Sequence, residues 1–320
     1  MAALTLIPVL LSACSALVGS ARDSTAGNGL ERTSIKIAIL PTIDAAPLWL
    51  AHDGGYFKAE GLDVQTVIAA SGQAALAKTA SGDVDIALSS YIPFFTAKST
   101  GTIDVRLVCD ATAVSAKSFA IVATPTSPVK TINDLAGKRI AMTAKNTATD
   151  LLAKSLMRDH AVDFTNVQWM QVQFPNVAAA LAQNQVDAAL LPEPYVSQAA
   201  KTAGAIPIID VNTGATQDFP MSGYGTTSKW VQQNPKAMAA FQRAMRKATS
   251  DAIKDRSKIE PLLVKYAKID DDTAKLLTLP GFRSELDALP IQRVPDLMLQ
   301  MGAITSKIDA ASMIAPHLAG

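Results

Sequence analysis

Hydroxyls, carboxylates and bare backbone amides recur in this chain at one kind of position, just past a short apolar run where a strand gives way to a helix. Asp44 and Ala45 follow the run at 35–40, and Ser71 and Gly72 follow 64–69. Ser89, Ser90 and Tyr91 follow 84–88. Thr147, Ala148 and Thr149 stand behind 139–142, and Glu193 and Tyr195 behind 187–191. Such groups recognise more readily than they react. Helix N-termini present unpaired N–H groups, hydroxyls donate or accept, and carboxylates accept. In open α/β sheets, ligands sit outside the carboxyl ends of strands.

Each position also has an ordinary structural reading. Asp44 caps the next helix or faces a cleft, and the two are compatible. Ala45 and Ala46 leave backbone N–H groups uncovered ahead of Pro47, which suits a first helical turn. Trp49 fits a core or a pocket wall equally, whereas Tyr56 reads as packing. Gly54 and Gly55 end that helix. Ser71-Gly72 is a polar cradle or a plain N-cap. Ser90 and Tyr91 read as near a ligand. Lys145 reads as solvated surface, and Glu193 either serves its own helix dipole or faces the cleft. Gly223-Tyr224-Gly225 is a hinge with Tyr224 as a lid, or a tight turn.

These positions need a scaffold of alternating strands and helices, and residues 35–227 supply one. Residues 131–134, Thr-Ile-Asn-Asp, read as a capping box with aspartate in place of glutamate. Beyond residue 228 the pattern is helical with no strand expected. Residues 235–254 form one long amphipathic helix carrying Met238, Phe241, Met245 and Ala248 on a stripe. Residues 75–90 and 180–191 echo each other: an Ala-rich helix, a turn, Val-Asp, then a small apolar strand. The echo suggests two similar halves, with one inserted in the other.

The chain has 320 residues, is 49% hydrophobic and 18% charged, and carries a net charge of +1. It can bury a core, and it has no field to gather nucleic acid or anionic lipid. Three histidines without ligand-like spacing argue against a metal site, and no cofactor is expected. Cys109 lies in an apolar run and reads as a small buried hydrophobe.

Cys14 ends the run Leu11-Ser12-Ala13-Cys14, which resembles a bacterial lipobox. The expectation is a signal peptide over 1–14, lipid on Cys14 and no other membrane attachment. An ordinary secretory signal and an uncleaved anchor remain alternatives, since residues 2–19 carry no charge. The run departs from the lipoprotein pattern in having no Lys or Arg ahead of it. Residues 15–33, rich in Ser, Ala and Gly, read as a flexible tether of roughly 25 Å reach.

Several motifs then occur in order: Gly55-Tyr56-Phe57 with Glu60-Gly61-Leu62-Asp63-Val64, Ser81-Gly82-Asp83-Val84-Asp85, Thr131 through Ile140, Leu191-Pro192-Glu193-Pro194-Tyr195, and Leu279-Pro280-Gly281-Phe282. Together they resemble the type II periplasmic solute-binding proteins of ABC importers, in the nitrate/sulfonate/taurine and pyrimidine-precursor branch. The resemblance spans about residues 35–316. It implies an α/β fold of two lobes, each a mixed, mostly parallel sheet flanked by helices, with a helical C-terminal region. Lobe 1 would comprise 34–117 and 222–320, with lobe 2, 118–221, inserted. It implies a monomer that closes over a small solute and delivers it to a permease and ATPase.

The same fold also carries enzymes of pyrimidine-precursor and menaquinone type. This chain lacks the cysteine-rich segment of the former, and no Ser/His/Asp or Cys/His set stands in a workable order. Few basic residues occupy the candidate segments, with Arg283 and Lys145 the nearest choices for an anion. Asp44 and Glu193 suit a neutral or amine-bearing solute, although backbone amides alone also hold anions.

Overall fold

The computed structural model describes residues 29–316. Cys14, the run before it, tether residues 15–28 and His317 lie outside the described residues. The strands are β1 (Ser34–Ile39), β2 (Asp63–Ile68), β3 (Ile86–Ser90), β4 (Val105–Ala113), β5 (Phe119–Ala123), β6 (Arg139–Met142), β7 (Gln168–Gln171), β8 (Ala188–Pro192), β9 (Ile206–Asp210), β10 (Pro220–Thr227) and β11 (Gly281–Phe282). The helices are α1 (Ala46–Asp53), α2 (Tyr56–Ala59), α3 (Gly72–Ser81), α4 (Tyr91–Thr100), α5 (Ala148–Asp159), α6 (Phe174–Ala182), α7 (Tyr195–Ala203), α8 (Ser228–Gln233), α9 (Pro235–Lys254), α10 (Glu260–Ala267), α11 (Asp271–Leu276), α12 (Ala288–Ile291) and α13 (Arg293–Gln300).

The strands make two sheets, ordered β11-β4-β10-β3-β1-β2 and β7-β6-β8-β5-β9. β1 pairs parallel with β2 and β3, as β6 does with β7 and β8. These strands are joined by helical crossovers, which parallel pairing requires. β10 runs antiparallel to β3 and β4, and β5 antiparallel to β8 and β9. Both sheets are therefore mixed, and parallel pairing is confined to one side of each. The C-terminal region also departs from the expected all-helical pattern. β11 pairs with β4, and Ile314 bridges Leu107.

Every strand of the second sheet comes from the chain between β4 and β10. The chain crosses between sheets near 114–118 and 211–219. The Val114 N–H donates to the Phe219 carbonyl at 2.9 Å, tying the two crossings together. Because β10 begins at Pro220, the return crossing ends before residue 222, the expected boundary. Arg293 of α13 donates to the carbonyls of Ala215, Gln217 and Asp218 and lies over the Phe219 ring.

Helix α9 buries its stripe of Met238, Phe241, Met245 and Ala248 against one face of the first sheet. Each such large side chain contributes about 1.5–3 kcal/mol. The other face packs Tyr91, Phe94 and Phe95. There β10 approaches so closely that a Cβ on Gly223 would meet the Tyr91 hydroxyl at 2.6 Å, and one on Gly225 the Phe94 ring at 2.7 Å. Both glycines lie within a strand, so they serve close packing rather than the expected hinge or tight turn. The Thr131 box forms as expected, with the Asp134 carboxylate accepting from the Thr131 N–H at 2.8 Å.

The tether expected through residue 33 ends earlier. Glu31 accepts from the N–H groups of Lys236 and Ala237 at the start of α9, at 3.0 and 3.1 Å. Arg32 pairs with Asp85. A carboxylate at a helix N-terminus is electrostatically favoured, which docks residues 29–33 on the first half.

Candidate functional site

The carboxyl ends of β1, β3, β6 and β8 converge on one cavity between the sheets. The first half contributes Leu40, Thr42 and Asp44 beyond β1, Gly72 at the start of α3, and Leu88, Ser89 and Ser90 at the end of β3. The second half contributes Thr143 beyond β6, Thr147, Ala148 and Thr149 at the start of α5, Phe174 of α6 and Pro192 of β8. Phe119, Met221 and Ser222 complete the wall. The water-accessible volume is about 50 Å³, room for roughly four waters at 10–15 Å³ each.

The structure thus brings together Asp44, Gly72, Ser90, Thr147, Ala148 and Thr149 from the predicted set. Asp44 Oδ2 accepts from the Ser222 hydroxyl at 2.6 Å and the Thr112 hydroxyl at 3.3 Å. Those hydroxyls are 2.6 Å from each other. Desolvation raises the Asp44 pKa above the usual carboxylate range, with the hydroxyl and backbone donors pulling the other way. Among the described residues, no lysine, arginine, histidine or cysteine lines the cavity.

Ser89 is 2% exposed, and its Oγ has no hydrogen-bond partner. A buried hydroxyl left unpaired costs about 1–3 kcal/mol. A Cβ on Gly72 would sit 2.1 Å from that Oγ, so the glycine makes room for it. At α5, the Asp150 carboxylate accepts from the N–H groups of Asn146 and Thr147 at 3.1 and 3.0 Å. The helix end that looked ready for an anion already holds one of its own.

Other predicted residues lie elsewhere. Trp49 is 3% exposed and stacks on Tyr266, centroids 5.2 Å apart, in the core under α9. It therefore shares no cavity with Glu193. Ala45 is wholly buried beneath the β1 end. Ser71 caps α3, its Oγ accepting from the Ala74 N–H at 3.1 Å. Tyr91 is buried and donates to Asp110 at 2.7 Å. Tyr224, expected as a lid, points to the opposite face of its sheet and packs edge-on against Phe241. Its neighbours Gly223 and Gly225 face α4, so strand alternation turns Tyr224 toward α9.

Glu193 accepts from the Ser197 N–H and hydroxyl at 3.1 and 2.8 Å, capping α7, and burial raises its pKa. It lines a narrow crevice together with Asp44, and that crevice shares Phe119, Pro192 and Met221 with the main cavity. Tyr195, pushed up to about 12 by burial, stacks on Phe174 and donates across the cleft to the Pro41 carbonyl at 3.0 Å. Further contacts join the halves, among them Arg158 of α5 with the Met301 sulfur at 3.0 Å. Gln73 Nε2 donates to the Lys145 carbonyl at 2.6 Å, and Lys201 pairs with Asp270 at 2.8 Å. Neither Lys145 nor Arg283 lines the cavity.

Sequence reasoning passed over Thr42, Thr143, Phe174 and Ser222. Thr143 directly follows a strand and Phe174 opens a helix, so the strand-end rule could have found both. Ser222 lies on an antiparallel strand, where the rule gives no signal.

The family described as NMT1/THI5 like matches residues 42–259. A protein of Bacillus subtilis (strain 168), provisionally named an aliphatic sulfonates-binding protein, is 23% identical over 319 residues, covering 96% of this chain and 93% of that protein. Among solved structures, the alkanesulfonate-binding protein SsuA from Xanthomonas axonopodis pv. citri bound to MOPS superposes with a TM-score of 0.75 at 17% identity. That match covers 91% of this chain and 99% of the other. The desulfurization enzyme DSZB superposes with a TM-score of 0.66 at 17% identity, covering 89% and 97%. At such identities the superpositions establish the two-lobe α/β fold.

Proposed function

The chain belongs to the NMT1/THI5-like family, and from that membership we propose that it is the extracytoplasmic solute-binding component of an ABC importer. Two lobes close over one small solute, and the loaded form docks on a permease driven by an ATPase. The observation that carries the reading is the convergence of four strand ends from two separate sheets on one cavity lined by hydroxyl-bearing and apolar side chains. The ties Tyr195–Pro41, Gln73–Lys145 and Lys201–Asp270 span the same gap, as contacts of a closed state would. A solute that contacts both walls favours that state by its differential affinity.

The likeness to an enzyme raises a second reading, and the lining weighs against it. His52 bonds its neighbour Asp53 on α1, and His160 sits at the end of α5. Cys109 is buried in β4, and desolvation raises its thiol pKa. Among the described residues, the hydroxyls of the cavity wall have the Asp44 carboxylate beside them and no histidine, lysine or cysteine.

Lipid on Cys14 with a tether beyond it is our reading of attachment, and a single chain our reading of the working unit. Among the described residues no helix is long and apolar enough to cross a membrane. Metabolic labelling with a fatty-acid probe, lost in Cys14→Ala, tests the anchor. A thermal-shift screen of sulfonates, nitrate, aminopyrimidines, flavins and amines tests the function. A saturable rise in melting temperature supports it by mass action, and a flat response across the whole set refutes it.

A further inference from the structure

We propose that the solute carries a positively charged nitrogen, which pairs with Asp44 in the cavity between the sheets. This rests on the solute-binding reading and names the class of solute. Asp44 reaches the wall with neutral hydroxyls as its partners, Ser222 and Thr112, and with no cationic side chain among the described residues lining the space. A desolvated carboxylate without a counter-charge is unfavourable, and a cationic group brought by the solute relieves it. Glu193 brings a second carboxylate from the other half to the crevice adjoining the same space. Closure over the solute therefore sets two acidic groups on one side of it.

The feature that would favour an anion is partly spent. At α5 the Asn146 and Thr147 amides are taken by Asp150, whose charge lies against the helix end. Ser89 supplies an independent sign of a ligand. The residue lines the cavity, and its hydroxyl is buried, unpartnered and packed against the bare Cα of Gly72. A solute with an ammonium or protonated ring nitrogen at Asp44 and a polar atom at Ser89 satisfies both. Leu40, Phe119, Phe174 and Met221 cover its apolar part. An alkylsulfonate would place its charge against Asp44.

The test is calorimetric titration of the full chain at pH 7 with two matched series, straight-chain primary amines and straight-chain sulfonates of two to six carbons. The amines should bind at least tenfold more tightly than sulfonates of equal length. Asp44→Asn, whose amide oxygen can keep the bonds from Ser222 and Thr112, should weaken the amines by at least roughly 30-fold while leaving the melting temperature within a few degrees. Glu193→Gln should weaken them less. Sulfonates binding as tightly as amines, amine affinity unchanged in Asp44→Asn, or neither series binding at 50 mM would each overturn the proposal. Tight sulfonate binding would reverse the solute class and leave the solute-binding reading standing. Only the flat response of the broad screen removes that reading.

Discussion

Asp85 and Asp187 hold equivalent places in the two sheets. The Asp85 N–H donates to the Lys36 carbonyl at 2.8 Å, and its carboxylate accepts from the Lys36 N–H at 2.8 Å. Asp187 does the same with Arg139, at 2.8 and 2.9 Å. Each aspartate closes a ring between the start of a strand, β3 or β8, and its parallel neighbour, β1 or β6. The echo between 75–90 and 180–191 thus marks a repeated device that sets the register of both sheets.

Replacing either aspartate with alanine should cost about 1–3 kcal/mol, since a backbone N–H loses its charged acceptor. Urea denaturation checks this through a lowered midpoint at constant slope. The Arg139 guanidinium and N–H hold the Asp187 pKa below its ordinary value. Its contribution is therefore present above the unfolded pKa and lost as pH falls. The deficit of Asp187→Ala should shrink toward pH 3.

Asp110 behaves in the opposite sense. Burial, with Asp287 nearby, raises its pKa from the ordinary 3.8 to about 7, against donors from Tyr91 and Ala111 and the charge of Arg283. Between those values the folded state holds a proton that the unfolded state lacks. Stability attributable to Asp110 therefore falls as pH rises from about 4 to about 7, by at most roughly 4 kcal/mol. Asp110→Asn keeps an oxygen for both donors, so it should flatten that part of the profile. An unchanged slope between pH 4.5 and 7.5 would show that Asp110 ionises normally.

Tyr195→Phe removes the bond to the Pro41 carbonyl while leaving the ring on Phe174. The bond spans the two halves, so its loss, about 0.5–1.5 kcal/mol, should appear as a threefold to tenfold weaker solute affinity with little change in melting temperature. Distance measurements between spin labels on the two halves should show a larger open fraction.

Gly225→Ala would drive a methyl group into the Phe94 ring. Overpacking of this kind costs about 1–3 kcal/mol, and a thermal melt should register it. If the melting temperature holds, β10 and α4 separate more readily than their contact implies.

Periodicity disclosed the elements because each strand and helix here has a regular apolar face. Helix 235–254 and its stripe are one case. The site was harder to read. Asp44 and Thr147–Thr149 were legible because strand ends in parallel sheets face ligands by topology. Trp49 and Tyr224 were not, because which face of a helix or strand turns inward depends on partners distant in sequence, α9 in both cases. Phe119 and Ser222 come from antiparallel strands whose register only the folded sheet defines.

Glu31 and Arg32 fasten the leading segment to the half that carries β1 and α9. A pull arriving from the direction of residue 28 is taken up by that half and spread along a twenty-residue helix. The paired crossings are spared the load.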